Sequence, residues 1–384
     1  MTTQNEPKVI VTDVQKIETR GYGNAGKIAL IGAFPTSTVQ INSYTGLKEA
    51  QNDLIGEYTP STIPEGCVSY GCLPYIFNSN KQSKGPEEVI IVNTNYGAET
   101  LSYTIDNTTL AAALLVLADE DFDILTIADT VSLGTSTTLN AMFNTLHSFV
   151  LTMYEGQKPF GIITSIGIDN TDTNGDAKLA ALKTLFEDKG IYKLITTPVH
   201  IRGDVDALSL AQSGCWHSAF TAGRPANKSE TGKLYEELQG EDSKSLFPIS
   251  STTGVIDWEN LVDAGLHTTK YRNRRLQTVQ CINNMTPHGW DMKIERVKNY
   301  MVKSLQFSDV FGEDNTPPTL SYVQGLFEYE KKLAIDNNYI SDMDYEITEC
   351  GASCVKANLA LYIPDVVRTV RLDVAVEITP YVEE

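Results

Sequence analysis

No run in this sequence comes near the roughly 18 uninterrupted apolar residues that spanning a bilayer requires. The opening MTTQNEPK also lacks the basic-then-apolar order of a secretory leader. The expectation is a chain made and kept in the cytosol, with no direct membrane insertion. Basic residues are scarce: 30 Lys and Arg against 49 Asp and Glu leave a formal net charge of -19. Repulsion then disfavours nucleic acid or anionic membrane as a broad partner. Cysteine is scarce too. Six in 384 residues are too few for a disulfide scaffold, and they read as small buried hydrophobes. The five histidines, at 147, 200, 217, 267 and 288, include no pair at metal-binding spacing. Neither a Gly-x-Ser-x-Gly elbow nor a Walker loop occurs. These absences weigh against an enzyme without excluding one, because catalytic groups can converge from distant positions. No catalytic, cofactor or metal-binding residue is assigned, and no cofactor is expected.

What is present is a folded protein: hydrophobic residues make up 41% of the chain, enough for the cores of two or three domains. KVIVTDV reads as a strand, RGYGNAG interrupts it with glycines, and KIALIGAFP resumes as an apolar strand. Residues 36–88 are rich in Thr, Ser, Asn, Gly and Pro and read as irregular, with a helical hint over Gly46 to Ile55. From Val89 onward, strands (EVIIVNT, FDILTIADT, FGIITSIGI, YKLITTP) alternate with helices (TTLAAALLVLADE, Ser136 to Glu155, GDAKLAALKTLFEDKG). That order predicts a mostly parallel sheet covered on both faces. Val205 to Ala222 reads as a helix and residues 223–250 as an exposed connection. Two further helices, WDMKIERVKNYMVKSLQF and PPTLSYVQGLFEYEKKLAIDNNYI, precede the strands DYEITECG and CVKANLALYIP. Prolines stand just before or at the start of these helices, where a missing N–H is harmless.

Several motifs fail on context. Gly21, Gly23 and Gly26 match dinucleotide-binding spacing, but a strand follows them where a helix N-terminus should face pyrophosphate. They read as a hinge. NTDTNGD has the first ligands of a calcium loop, but Ala181 stands where the bidentate Glu belongs. Cys67 with Cys72, and Cys350 with Cys354, lack the tight spacing of most zinc sites, and Cys215 and His217 point apart on a helix. A basic island from Lys270 to Lys303 stands out in so acidic a chain. It reads equally as a dock for an acidic surface or as ordinary solvated faces.

The end of the chain is VVRTVRLDVAVEI, with Val370, Leu372, Val374, Val376 and Ile378 alternating with polar residues and an alanine. Burying those five side chains is worth on the order of 7 to 15 kcal/mol as an upper bound, so the strand requires a partner. Taken alone, it would pair within its own chain. Val9, Val11 and Ile17 pose the same question at the other end, and two strand-forming ends flanking one body suggest exchange between subunits.

DWENLVDAGLHTTKYRN, KIERVKNYMVKSLQFSDVFGEDN and LALYIPDVVRTVRLDVAVEI together resemble the contractile tail sheath proteins of bacteriophages and related contractile injection systems. The likeness lies in element order, the helix stop at NLVDAG and the Pro-then-alternating end. The chain departs from it in having QTVQCINN where sheaths often carry a tryptophan-glycine stretch.

The resemblance implies an α/β protein: an α+β core from residues 27–88 and 251–364, an inserted βαβ-type domain over 89–250, and strand arms over 1–26 and 365–384. It implies a structural, non-enzymatic subunit of stacked hexameric rings around an inner tail tube protein, with baseplate and tail terminator proteins as further partners. The subunit would be assembled in the host bacterial cytoplasm and end in the virion tail. Val9, Val11, Ile17, Val370, Leu372, Val374, Val376 and Ile378 would be exchanged strand positions, and Gly21, Gly23 and Gly26 the hinge. Lys293, Arg296, Lys298 and Lys303 would face the tube. The alternatives are a soluble α/β enzyme holding a small ligand at the carboxyl ends of its middle strands, or another self-assembling phage or capsid component.

Overall fold

The structure is a computed structural model. It describes residues 26–64, 66–79, 81–129, 131–132, 136–156, 158–168, 184, 195–196, 199–201, 207–230, 234–239, 268–272, 275–280, 292–305, 317–351 and 354–364. The main sheet contains β1 (Lys27–Gly32), β2 (Ile41–Tyr44), β3 (Glu88–Asn93), β4 (Ile124–Ile127), β6 (Gly161–Ile163) and β8 (Ile195–Thr196), with β5 (Val131–Ser132) and β7 (Ile166–Ile168) intervening in sequence. Its order is β2-β3-β1-β4-β6-β8. Strand β2 is antiparallel to β3 at one edge and the remaining pairings are parallel. Ile28 lies opposite Val89 on one side and Ile124 on the other. Strands β5, β7 and β9 (Val199–Ile201) form a smaller parallel sheet.

Helices cover both faces, which is why β1, β3 and β4 are apolar almost throughout. Alternate residues along β1 serve different cores, as period-2 geometry requires. Ala29 and Ile31 pack with α3 (Asn107–Leu117) and α4 (Ser136–Glu155). Ile28 and Leu30 pack on the other face with α1 (Leu47–Leu54), α2 (Val68–Ile76) and α5 (Ala207–Ala222). Helix α3 starts where a capping box directs it: Asp106 Oδ1 accepts the Thr109 N–H at 2.8 Å, and Thr109 Oγ1 accepts the Asp106 N–H at 3.0 Å. The Thr109 donors hold the Asp106 carboxyl below its usual range.

An antiparallel sheet β10-β12-β11 follows, from β10 (Leu234–Gln239), β11 (Thr268–Arg272) and β12 (Arg275–Gln280). A third module is formed by α6 (Met292–Ser304), α7 (Pro317–Asp336) and the hairpin β13 (Asp342–Gly351) and β14 (Cys354–Tyr362). Its own core gathers Val297, Met301, Val323, Phe327, Tyr339, Ile340 and Met343.

Four expectations need correction. The boundary at 88/89 runs through one sheet, because β1 is inserted between β3 and β4. The boundary at 250/251 is likewise crossed by the β10–β12 pairing. Residues 36–88 hold β2, α1 and α2 rather than irregular chain. The supposed exposed connection at 223–250 contains β10. The mixed α/β class stands. Among the described residues no helix is long and apolar enough to cross a membrane.

Candidate functional site

Three places could carry function: the carboxyl ends of the parallel strands, the junction between the main sheet and the third module, and the hairpin. At the carboxyl ends, strand order reverses between β1 and β4, and open α/β sheets bind ligands at such a crevice. Here the crevice is filled from within. Ser69 on α2 accepts the Ala33 N–H at 2.8 Å and donates to the Ala128 carbonyl at 3.0 Å. Asn93 Oδ1 accepts the N–H groups of Phe34 and Asn95 at 3.0 and 3.1 Å, and its Nδ2 donates to the Thr36 carbonyl at 2.6 Å. Asn95 Nδ2 donates to the Phe34 carbonyl at 2.8 Å, and its Oδ1 accepts the Ser102 N–H at 3.0 Å. The Asp129 carboxylate takes the Ile105 N–H at 2.9 Å. All three side chains of the Ser69, Asn93, Asn95 set are buried. These polar groups are engaged with the loops' own backbone, the bonding a ligand would otherwise use.

The described cysteines are equally inert. Cys67, Cys72 and Cys215 are free and buried. Burial pushes the Cys67 thiol up to about 11, and burial reinforced by the neighbouring Cys215 thiol pushes Cys72 up as well. Such thiols are poor nucleophiles and poor ligands. Among the described residues no group of three or more His, Cys, Asp or Glu is arranged to hold a metal. The NTDTNGD segment, Asp257 to Asn273 and the 281–291 stretch lie outside the described residues except for β11.

At the junction, the four basic residues expected to face a tube all have partners within the chain. Lys303 Nζ donates to Asp121 Oδ1 at 2.7 Å, the Phe122 carbonyl at 2.6 Å and Asp123 Oδ1 at 3.2 Å. Arg296 donates to the Arg224 carbonyl at 2.6 Å, and burial pushes its pKa down, offset by Glu230 and Asp123. Lys298 pairs with Glu295 at 3.3 Å and lies 5.2 Å from the Tyr154 ring centroid. Lys293 Nζ donates to the Pro364 carbonyl at 2.6 Å. Lys293, Arg296 and Lys303 thus bond to segments distant in sequence. The reason is acidity: Asp121, Asp123 and Glu295 sit within the island's reach, and pairing desolvates charge at less cost than leaving it alone. Sequence counting cannot show this, because Lys303 and Asp121 are far apart along the chain.

Gly26, the one hinge glycine within the described residues, is also fixed. Its N–H donates to the Ala222 carbonyl at 2.7 Å and its carbonyl accepts the Glu87 N–H at 3.0 Å. A Cβ there would come 2.6 Å from Asp123 Oδ2. A side chain there would crowd the Asp123 carboxylate, which accepts the Lys27 N–H. Gly21, Gly23 and the arm positions Val9, Val11, Ile17, Val370, Leu372, Val374, Val376 and Ile378 lie outside the described residues.

The hairpin is a sheet of two strands, paired from Asp342 opposite Tyr362 to Gly351 opposite Cys354. Its inward side chains, Met343, Tyr345, Ile347, Ala357 and Leu361, pack in the α6–α7 core. Phe327 of α7 stacks on Tyr345 with centroids 4.8 Å apart. Lys331 Nζ ties α7 to the hairpin by donating to Asp342 Oδ1 and the Met343 carbonyl, both at 2.7 Å. The Tyr345 hydroxyl donates to Glu328 at 2.7 Å. Among the described residues neither strand pairs with any other. Leu359 and Tyr362 are exposed beside one edge. Strand β14 ends two residues before Pro364, the carbonyl that Lys293 holds.

No protein-family model matches the sequence, and no curated protein does. Among solved structures, the chain is similar to the crystal structure of a sheath tail protein from Desulfitobacterium hafniense. The similarity covers 88% of this chain and 97% of that one, with a TM-score of 0.54 and 11% identity. At that identity the likeness is one of fold.

Proposed function

We propose that the chain is a structural subunit of a contractile tail sheath, polymerising around an inner tube through exchange of terminal strands between copies. The observation that carries the reading is the two-stranded hairpin beside the anchored start of the closing strand. Unpaired N–H and C=O groups along an edge are a template for another strand, and β-augmentation supplies backbone bonds while alternation sets register. Residues 366–378, if extended, reach about 40 Å at roughly 3.3 Å per residue, far enough to leave one subunit and arrive at another. Lys293 gripping Pro364 gives that arm a fixed point of departure. The fold likeness to a sheath tail protein supports the same reading.

In this scheme the arms are covalent leashes. Bodies rotate and slide while the network stays connected, and contraction proceeds as bodies gain contacts from a metastable extended state. No nucleotide is required, in keeping with a strand crevice filled by Ser69, Asn93 and Asn95.

Truncation after Pro364 tests the reading. The expected product is a folded, soluble body that no longer forms tubes or rings in electron micrographs. An unfolded or insoluble product would show that the last strand completes its own subunit's core, and undiminished polymerisation would remove the arm from assembly.

A further inference from the structure

Helices α3 and α4 cover a whole face of the main sheet, yet they carry almost no charge. In a chain in which 21% of residues are charged, the 11 residues of α3 contain none and the 20 of α4 contain only the terminal Glu155. Surface helices ordinarily place charged residues on the side away from the core. Here the outward positions are Thr108, Ala112 and Leu115 on α3, spaced i, i+4, i+7, and Asn144, Ser148, Leu151, Thr152 and Tyr154 on α4. The opposite sides, Leu110, Ala113, Leu114 and Leu117 of α3 and Phe143, Leu146, Phe149, Val150 and Met153 of α4, are buried on the sheet. The helices adjoin, with Thr145 Oγ1 donating to Asn107 Oδ1 at 2.8 Å. Leu115 is 77% exposed and Leu151 51%. Partial burial lowers the pKa of His147 on α4.

A single exposed leucine is ordinary. Two on neighbouring helices that carry almost no charge, bounded by Asp106 and Asp119 at the ends of α3, by Lys158 bonded to the Ala118 and Asp119 carbonyls and by Lys298 over the Tyr154 ring, have the composition of an interface: a core depleted in charge with a polar rim. The charge of the chain identifies the occupant. A basic partner would be met with acidic side chains, which are abundant elsewhere. A second copy brings the same -19, so two copies approach at least cost where neither presents charge.

We propose that the outward face of α3 and α4, centred on Leu115 and Leu151, is a contact between copies of this chain, separate from the terminal strands. It rests on the sheath reading in that it supplies a body-to-body contact of the kind sliding subunits gain. The experiment is the double substitution Leu115→Glu with Leu151→Glu in the full chain, with assembly followed by sedimentation velocity and electron microscopy. Both side chains are mostly solvated, so circular dichroism and thermal unfolding should stay close to wild type. The concentration for half-assembly should rise at least about tenfold. Leu115→Ser with Leu151→Ser, which adds no charge, gives the same test should the acidic pair fail to fold. Unchanged assembly overturns the inference while leaving the sheath reading intact, and is also the result expected if a different protein or a lipid surface occupies the face. A wild-type chain that stays monomeric at all concentrations overturns both.

Discussion

The main sheet encloses β1 between β3 and β4 and covers both its faces with helices, whereas β13 and β14 make a sheet of two strands backed by α7 on one side. In the first, the inner strands β3, β1, β4 and β6 are paired on both sides, and the loops at the carboxyl ends are matched by Ser69, Asn93 and Asn95. In the second, each strand has a strand neighbour on one side only among the described residues. A two-stranded hairpin is marginal on its own, so α7 and the Lys331 clamp must hold it. The contrast teaches where to look for function: strands paired on both sides are a scaffold, and a sheet of only two strands has most to gain from another chain.

The largest effect should come from breaking the scaffold. Asn93→Ala removes three bonds at the switch point and strands the Phe34 N–H, the Thr36 carbonyl and the Asn95 N–H in the interior. A buried group left unmatched costs about 1–3 kcal/mol, so a loss of about 2–4 kcal/mol is expected in denaturant unfolding. A ligand-binding crevice would behave differently, because polar residues there are held for a visitor and their removal leaves stability nearly unchanged. A loss below about 0.5 kcal/mol would therefore reopen the enzyme reading.

The joint between the two regions comes next. Lys303→Met keeps the aliphatic stem and deletes the ammonium that Asp121, Asp123 and the Phe122 carbonyl share. With the Lys303 side chain 13% exposed and the aspartates near 30%, the pairing is partly screened, and about 1–3 kcal/mol is expected. If the clamp couples the modules, α6 amides should lose hydrogen-exchange protection along with residues near β4. Loss confined to one side would mean the modules open independently.

Much of this fold was legible in the chain. The apolar run KIALIGA, the charge-poor TTLAAALLVL and the alternation in DYEIT and NLALY mark β1, α3 and the hairpin by period alone. Helix α2 was not legible: Gly71 and Pro74 argue against a helix, and it exists because Ser69, Tyr70, Cys72, Leu73 and Ile76 are buried against the sheet and α5. Strand β10, LYEELQ, lacks clean alternation and is defined by its pairing with β12. That the expected boundary at 88/89 falls within one sheet has a topological reason. Local pattern cannot tell that β1 will be flanked by β3 and β4, since a crossover leaves no mark in composition. The candidate site divides the same way: the hairpin's strands could be read, but the bonding of Lys293, Arg296 and Lys303 depends on partners distant in sequence.

The smallest effect concerns the two-stranded side and has the opposite sign. Gly325 lies in the exposed half of α7 between Tyr322 and Tyr329, and a Cβ added there would meet nothing within 4 Å. Glycine in a helix interior costs about 1 kcal/mol relative to alanine, and no close approach within this chain requires it. Gly325→Ala should accordingly stabilise the isolated subunit by up to about 1 kcal/mol, raising its thermal midpoint by a few degrees, roughly 2 °C. The main sheet offers the control: Gly214 lies where a Cβ would stand 2.6 Å from Ser165 Oγ, so Gly214→Ala should destabilise. Glycines of the enclosed layer are there for contacts already made, and removing them loosens it. If Gly325→Ala also destabilises the subunit, then α7 has a neighbour within its own chain, and the hairpin module is less open than its sheet of two strands indicates.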